Sequence, residues 1–251
     1  MNVSFHARLR GASAPLDYLS EGRAVHDRLR GFNRNDRSRS LVSAGTSGLE
    51  QRLPVESFTY VVGKRAFDIC FAAIALLLTA PLMLLICVVI KLTSAGPVFF
   101  RQERVGLSGR TFFMYNFRTM QHTGLGEGDR LWTKRDDPRR TRFGRWLRAA
   151  SLDELPEFFN VLNGEMSVVG PRPERPYFVE QFMQTVSLYN SRHNLKVGIT
   201  GWAQVNGWRG DTCIAKRVEH DLYYLNNWSF GFDLRIILLT ILHLLSPKNA
   251  Y

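Results

Sequence analysis

Residues 69–90 read ICFAAIALLLTAPLMLLICVVI and carry no charge. A helix needs about 20 such residues to cross the hydrocarbon core, so the run is a membrane-helix candidate. A buried helix of a soluble core is the alternative. Pro81 falls near the middle, where it removes one backbone hydrogen bond and bends a helix. Lys64 and Arg65 precede the run and Lys91 follows it, so the basic flanks set no orientation. Two geometries fit: a kinked span, or a helix that enters, breaks at Ala80–Pro81 and returns to the same face. A break at membrane depth needs partners for the freed backbone groups, and the Thr79 hydroxyl is one such partner.

After SAGP (94–97) the composition turns soluble. VFFRQERVG and GRTFFMYNFRTM, around Gly106 and Gly109, predict a short β-hairpin. Residues 121–140 form a polar, Gly-rich loop ending in KRDDPRR. In TRFGRWLRA, the spacing of Arg142, Arg145 and Arg148 separates a cationic stripe from Phe143, Trp146 and Leu147. That pattern fits a helix in the membrane interface and equally a helix packed on the core. Near the C-terminus, Tyr223, Tyr224, Trp228, Phe230 and Phe232 precede IILLTILHLL (236–245), which is too short to span and predicts an interfacial or core-docking helix. Residues 1–56, rich in Arg, Ser, Gly and Asp, read as a disordered basic arm. Such an arm is a solvated tail or a contact for anionic headgroups; in the second case, deleting 1–56 weakens salt-sensitive liposome binding.

The 251 residues carry a formal charge of +11, which calls for a polyanionic neighbour: nucleic acid, an anionic membrane or phosphorylated substrates. No nucleic-acid fold signature is present. Cys70, Cys87 and Cys213 form no CxxC pair, which argues against zinc and a disulfide framework and fits a reducing, cytoplasm-facing compartment. The opening MNVSFHARLRGASAPL does not resemble a signal peptide.

The chemistry concentrates further on. In SLDELPEFFNVL (151–162), Ser151 and Glu154 have capping-box spacing, so Asp153 and Glu154 are readable as helix caps. Pro156 offers a second reading: the regular helix starts near Leu155–Pro156 and the carboxylates stand at its mouth. Beside Arg148, Arg172 and Arg175, they could then serve as nucleophile and metal ligand in phosphoryl transfer. GPRPERP (170–176) projects Arg172 and Arg175 from a proline-stiffened turn, and guanidiniums suit phosphate through bidentate donation. VGITGWAQVNGWRGDT (197–212) could approach a diphosphate or stack a base, and Gln204 within it is a candidate substrate contact.

KRAFDI, GPVFFRQERVG, FRTM, LRAASLDELPEFFNVLNGEMSVVGPRPE, GITGWAQVNG and EHDLYYLNNWS occur in the order that resembles the bacterial sugar transferases, also called monotopic phosphoglycosyl transferases. The resemblance covers about Lys64 to Tyr251, and the form looks like the exopolysaccharide-initiating members. It implies a mainly α fold with a small β element, held in one leaflet by a re-entrant helix broken at Pro81 and by interfacial amphipathic helices. Residues 57–97 would be the membrane region and 98–251 the catalytic domain on the cytoplasmic face of the inner membrane. The implied reaction moves a hexose-1-phosphate from a UDP-sugar (UDP-glucose or UDP-galactose) to polyprenyl (undecaprenyl) phosphate and releases UMP. By the same resemblance Asp153 attacks the β-phosphorus and carries the phosphosugar, while Glu154 binds Mg2+ or handles protons. Arg118, Arg172 and Arg175 would contact phosphate or nucleotide, and Lys64, Arg65 and Arg148 the carrier phosphate. The bilayer is the expected partner, nucleic acid is not, and a homodimer is compatible. A membrane-anchored nucleic-acid binder and a non-catalytic scaffold are the rival readings; both predict that Asp153→Asn changes nothing.

Overall fold

A computed structural model describes residues 57–121, 137–210 and 212–245, so the arm at 1–56 and most of the loop at 121–140 lie outside the described residues. The apolar run forms helix α1 (Arg65–Thr93), entered through π-helical turns at Thr59–Lys64. The helical stretch Tyr60–Thr93 contains an 18-residue window with a mean hydropathy of 2.9 and is long and apolar enough to cross a membrane. Pro81 lies inside α1, and the chain is helical on both sides of it rather than forming two separate helices. Proline removes one bond of the ladder, and the long apolar stretches on either side keep the rest. The Thr79 hydroxyl donates to the Ala75 carbonyl at 2.7 Å, not to the Leu77 carbonyl that Pro81 cannot serve.

A single stripe of α1 is buried. Met83, Ile86 and Ile90, at helical spacing, join Phe117 and Leu147 in one cluster, whereas Leu77, Leu78, Leu84 and Leu92 are exposed. Burial of an Ile side chain contributes about 1.5–3 kcal/mol, so this stripe fixes the helix on the rest of the fold.

The remainder is mainly α with two small sheets. Strands β1 (Phe99–Val105) and β2 (Thr111–Phe117) form the expected antiparallel hairpin, with Val105 opposite Thr111. Helices α2 (Arg142–Ala149) and α3 (Glu157–Asn163) follow, then β3 (Ser167–Val169) and α4 (Pro176–Thr185). Strand β4 (Gly198–Thr200) pairs parallel with β3. Helices α5 (Trp202–Val205), α6 (Ile214–Asn227) and α7 (Phe230–Leu245) complete the described chain.

Both ends of α1 are tied to this one body. At the start, Lys64 Nζ meets Asp233 of α7 at 2.8 Å, Arg65 donates to the Val161 and Leu162 carbonyls of α3, and Asp68 accepts from Val168 N and Ser167 Oγ of β3. At the far end, Arg118 donates to the Ser94 and Ala95 carbonyls. Lys64 and Arg65 act here as staples: Lys64 is 3% exposed, because two buried carboxylates need its charge.

Helix α2 starts at Thr141, whose hydroxyl accepts from Gly144 N at 2.9 Å. A Cβ on Gly144 would sit 2.1 Å from the Thr119 carbonyl oxygen, so only glycine lets α2 rest on the end of β2. Leu147 points inward, while Arg142, Arg145 and Trp146 are exposed.

Candidate active site

Asp153 and Glu154 stand in a 3-10 turn, Leu152–Glu154, between α2 and α3. The capping-box reading fails: Ser151 has φ 54°, in the left-handed region, and makes no cap bond. The regular helix begins after Pro156, as the proline-based reading expects. The left-handed residue costs roughly 1–2 kcal/mol and turns the chain sharply enough to offer both carboxylates to one place. Leu152 and Leu155, flanking the pair, pack against the cluster built on the second half of α1. The site is thus seated directly on the apolar helix.

Three guanidiniums converge on the pair. Arg148 Nε, from the last turn of α2, is 3.7 Å from Asp153 Oδ2 and donates to Thr119 Oγ1 at 3.0 Å. Arg172 Nη2 donates to Glu154 Oε1 at 2.5 Å, and Arg209 Nη2 is 3.5 Å from the same oxygen. Arg209 was not legible as a site residue, since its loop reaches the dyad only in the folded chain.

The turn carrying Arg172 is held by more than its prolines. Four successive carbonyls are taken: Pro171 by Gly198 N, Arg172 by Arg192, Pro173 by Arg104 and Glu174 by Val105 N. Arg192 is itself paired with Asp221 at 2.9 Å. This buried lattice makes Arg172 a fixed cation.

Electrostatics separates the two carboxylates. Burial, then the neighbouring Glu154 charge, pushes Asp153 up to about 6, against the pull of Arg148 and Arg172. Burial also opposes ionisation of Glu154, but Arg172 and Arg209 overcome it and hold this carboxyl at about 2. Behind them Glu157 is fully buried and pushed up to about 8 by desolvation and by Glu154. Its Oε1 accepts from Asn116 Nδ2, which also donates to the Asp153 carbonyl. At neutral pH the pair is anionic, Glu157 is neutral and three guanidiniums face two carboxylates. A phosphate brought here would meet a cationic surplus, with Asp153 an ionised carboxylate within it.

The other expected residues are placed as follows. Arg118 directs its donors to the end of α1 rather than to the dyad. Arg175 is buried with its guanidinium 4.4 Å from the Phe178 ring centroid. Gln204 donates to the Ile199 carbonyl and lies against Gly201. The glycines of GITGW serve close backbone packing: a Cβ on Gly198 or Gly201 would fall 2.1 Å from backbone atoms of Gly170. They bind β4 to the end of β3.

A cavity of about 730 Å3 opens beside Glu154. Ser151, Gln204, Asn206 and Arg209 are among its polar lining, and Phe71, Phe158, Val168, Ile199 and residues of α7 among the rest. Among the described residues no group of three or more His, Cys, Asp or Glu side chains could enclose a metal. An ion held by one or two carboxylates together with substrate phosphates, the usual habit of Mg2+, fits Glu154, which is ionised and lines the cavity.

The family described as Bacterial sugar transferase matches residues 59–247. A UDP-glucose:undecaprenyl-phosphate glucose-1-phosphate transferase of Xanthomonas campestris pv. campestris is 49% identical over 197 residues, 76% of this chain and 40% of that protein. The protein of the same description from Escherichia coli is 47% identical over 75% of this chain and 41% of its own length. That of Caulobacter vibrioides is 44% identical over 75% of this chain and 72% of its own length. The chain thus spans about two fifths of the first two relatives.

Proposed function

The chain belongs to the bacterial sugar transferase family, and from that membership we propose that it transfers glucose-1-phosphate from UDP-glucose to undecaprenyl phosphate. The observation that carries the reading is the ionised carboxylate Asp153 among Arg148, Arg172 and Arg209 on a turn seated against α1. Glucose is named as donor sugar over galactose because the relatives described above are named for it.

In the proposed first step an Asp153 carboxylate oxygen attacks the β-phosphorus of the donor. A P–O bond forms to Asp153 and the P–O bond to UMP breaks, so UMP leaves with the bonding pair. In the second step a phosphate oxygen of the carrier attacks the same phosphorus and Asp153 departs as a carboxylate. Arg148 and Arg172 neutralise the diphosphate and hold the phosphorus in line. Glu154 would hold Mg2+ with the donor phosphates, and the ion would supply further neutralisation of their charge. Glu157 and Asn116 hold the Asp153 backbone from behind.

The same proposal puts the protein at the cytoplasmic face of the inner membrane, with α1 entering one leaflet and returning. Its support is mechanical: both ends of α1 are bonded to one catalytic body, and the exposed Arg142, Arg145 and Trp146 suit a headgroup layer.

The test is UMP release from a panel of UDP-sugars by purified wild-type and Asp153→Asn protein, with magnesium and undecaprenyl phosphate. Release with UDP-glucose that is absent in the variant is expected. Equal release from both proteins removes Asp153 as nucleophile, and no release with any donor removes the transferase reading.

A further inference from the structure

Granted the transferase reading, the acceptor joins one phosphate to a long isoprenoid. Its site must therefore begin with a cation beside the dyad and continue between apolar walls. The lining of the cavity beside Glu154 supplies both. Arg209 lines it, and its guanidinium already reaches Glu154. Its wall on α7 is mainly Ile237, Ile241 and Leu244, spaced four and three apart and so on one face of the helix; Thr240, its hydroxyl engaged by Ile236 and Thr200, and His243 and Leu245 complete it. Phe71 of α1 and Phe158 of α3 complete the apolar lining. Arg148 and Arg172 do not line the cavity, which leaves them to the donor's diphosphate.

The chemistry of the wall also selects between the two substrates. A sugar nucleotide is anionic and rich in hydroxyls, and aliphatic side chains return none of the hydrogen bonds it would lose to water. An isoprenoid loses nothing there and sheds apolar surface. The path continues outward as well. On α1, Ile74 and Leu78 follow Phe71 at three and seven residues, on the same face, and both are exposed. That line leads from the cavity along the apolar helix.

We propose that this cavity is the acceptor site: Arg209 meets the carrier phosphate, and the Ile237–Ile241–Leu244 face of α7 with Phe71 and Phe158 encloses the first isoprene units. The remaining chain follows Ile74 and Leu78 into the bilayer.

The two half-reactions separate this proposal from the reading on which it rests. Exchange of labelled UMP into UDP-glucose without acceptor reports the donor step alone; transfer to undecaprenyl phosphate reports both. Ile241→Asp and Leu244→Asp are expected to raise the acceptor KM about tenfold or more, since a charge replaces an apolar wall, with exchange unchanged. Leu238→Asp, on another face of α7 and also exposed, should leave both unchanged. Loss of exchange together with transfer would overturn the proposal by giving the cavity to the donor, and an unchanged acceptor KM would overturn it directly. Absence of exchange in the wild type would instead remove the transferase reading.

A second measurement needs no variant. A polyprenyl phosphate with a diazirine in its first isoprene units, added to wild-type protein in phosphatidylethanolamine–phosphatidylglycerol nanodiscs, should label α7 and Phe158. Labelling should fall with excess undecaprenyl phosphate. Labelling elsewhere, or competition by phospholipid alone, would overturn the assignment.

Discussion

Arg172 brings its Nη2 to 2.5 Å from Glu154 Oε1, and this contact divides the labour of two adjacent carboxylates. Glu154, gripped by Arg172 and Arg209, is an anion at every working pH. Asp153, more weakly met by Arg148 at 3.7 Å, is buried beside that fixed charge and titrates near 6. Neighbouring groups driven apart in this way mark distinct chemical roles.

The donor step should therefore follow the ionisation of Asp153. Protonation below about 6 would remove the proposed nucleophile, so exchange of UMP into UDP-glucose should be half-maximal near pH 6 and fall about tenfold per unit below it. A profile flat from pH 5 to 8 would detach the step from this residue. Glu154, already ionised throughout that range, contributes no limb.

Asp153→Asn should cost on the order of 10^4 in UMP release or more, as loss of a nucleophile does. It should also stabilise the protein at pH 7.5. A carboxyl whose folded-state pKa is raised from 3.8 to about 6 penalises the folded state as pH climbs through that window, so the cost is fully present at pH 7.5 and absent below 3.8. The amide escapes it. Thermal melting at pH 7.5 and pH 4 checks the sign: the variant's advantage should shrink towards the lower pH.

Arg172→Ala leaves Glu154 with Arg209 at 3.5 Å as its main partner. Breaking a buried ion pair from one side costs about 3 kcal/mol, and denaturant unfolding should register it. Arg172→Lys should recover part of the stability and little of the turnover, because an ammonium cannot present the guanidinium fork to phosphate and carboxylate together. Full activity in the lysine variant would remove Arg172 from phosphate binding.

The turn bearing Asp153 and Glu154 was readable because Pro156 cannot continue a helix begun at Ser151, and the hairpin because Gly106 and Gly109 punctuate two alternating runs. These are local signals. The ion pairs are not local. Lys64 and Asp233 lie 169 positions apart, and Arg209 and Glu154 meet through loops with no shared period. The resemblance assigned Lys64 and Arg65 to the carrier phosphate and Arg118 to phosphate or nucleotide, and it carried no sign of the carboxylates and carbonyls that these side chains meet in the fold. Glu157 was equally hidden: a helical glutamate normally faces water, and only burial beside the dyad makes it neutral.

Lys64 gives the clearest test of its part as a staple. Lys64→Met should destabilise the fold by about 3–5 kcal/mol, because Asp68 and Asp233 are left buried without their cation. Adding Asp233→Asn should recover part of the loss, since the amide oxygen can accept from Trp228 Nε1 while its NH2 donates to the Tyr224 hydroxyl. A Lys64 that served the carrier phosphate would show the reverse: stability kept, acceptor KM raised, and no recovery in the double variant.

The topology of α1 follows from the same staples. A straight span would carry residue 58 and residue 93 to opposite sides of the bilayer. Yet Lys64 is bonded to α7, and Arg118 grips Ser94 and Ala95, so one body holds both ends. In a background with Cys70, Cys87 and Cys213 replaced, Phe58→Cys and Thr93→Cys, both at exposed positions, should react with an impermeant maleimide from the cytoplasmic side only. Reaction of the two from opposite sides would establish a span, and would require the ion pairs at Lys64 or the clamp at Arg118 to open in the membrane.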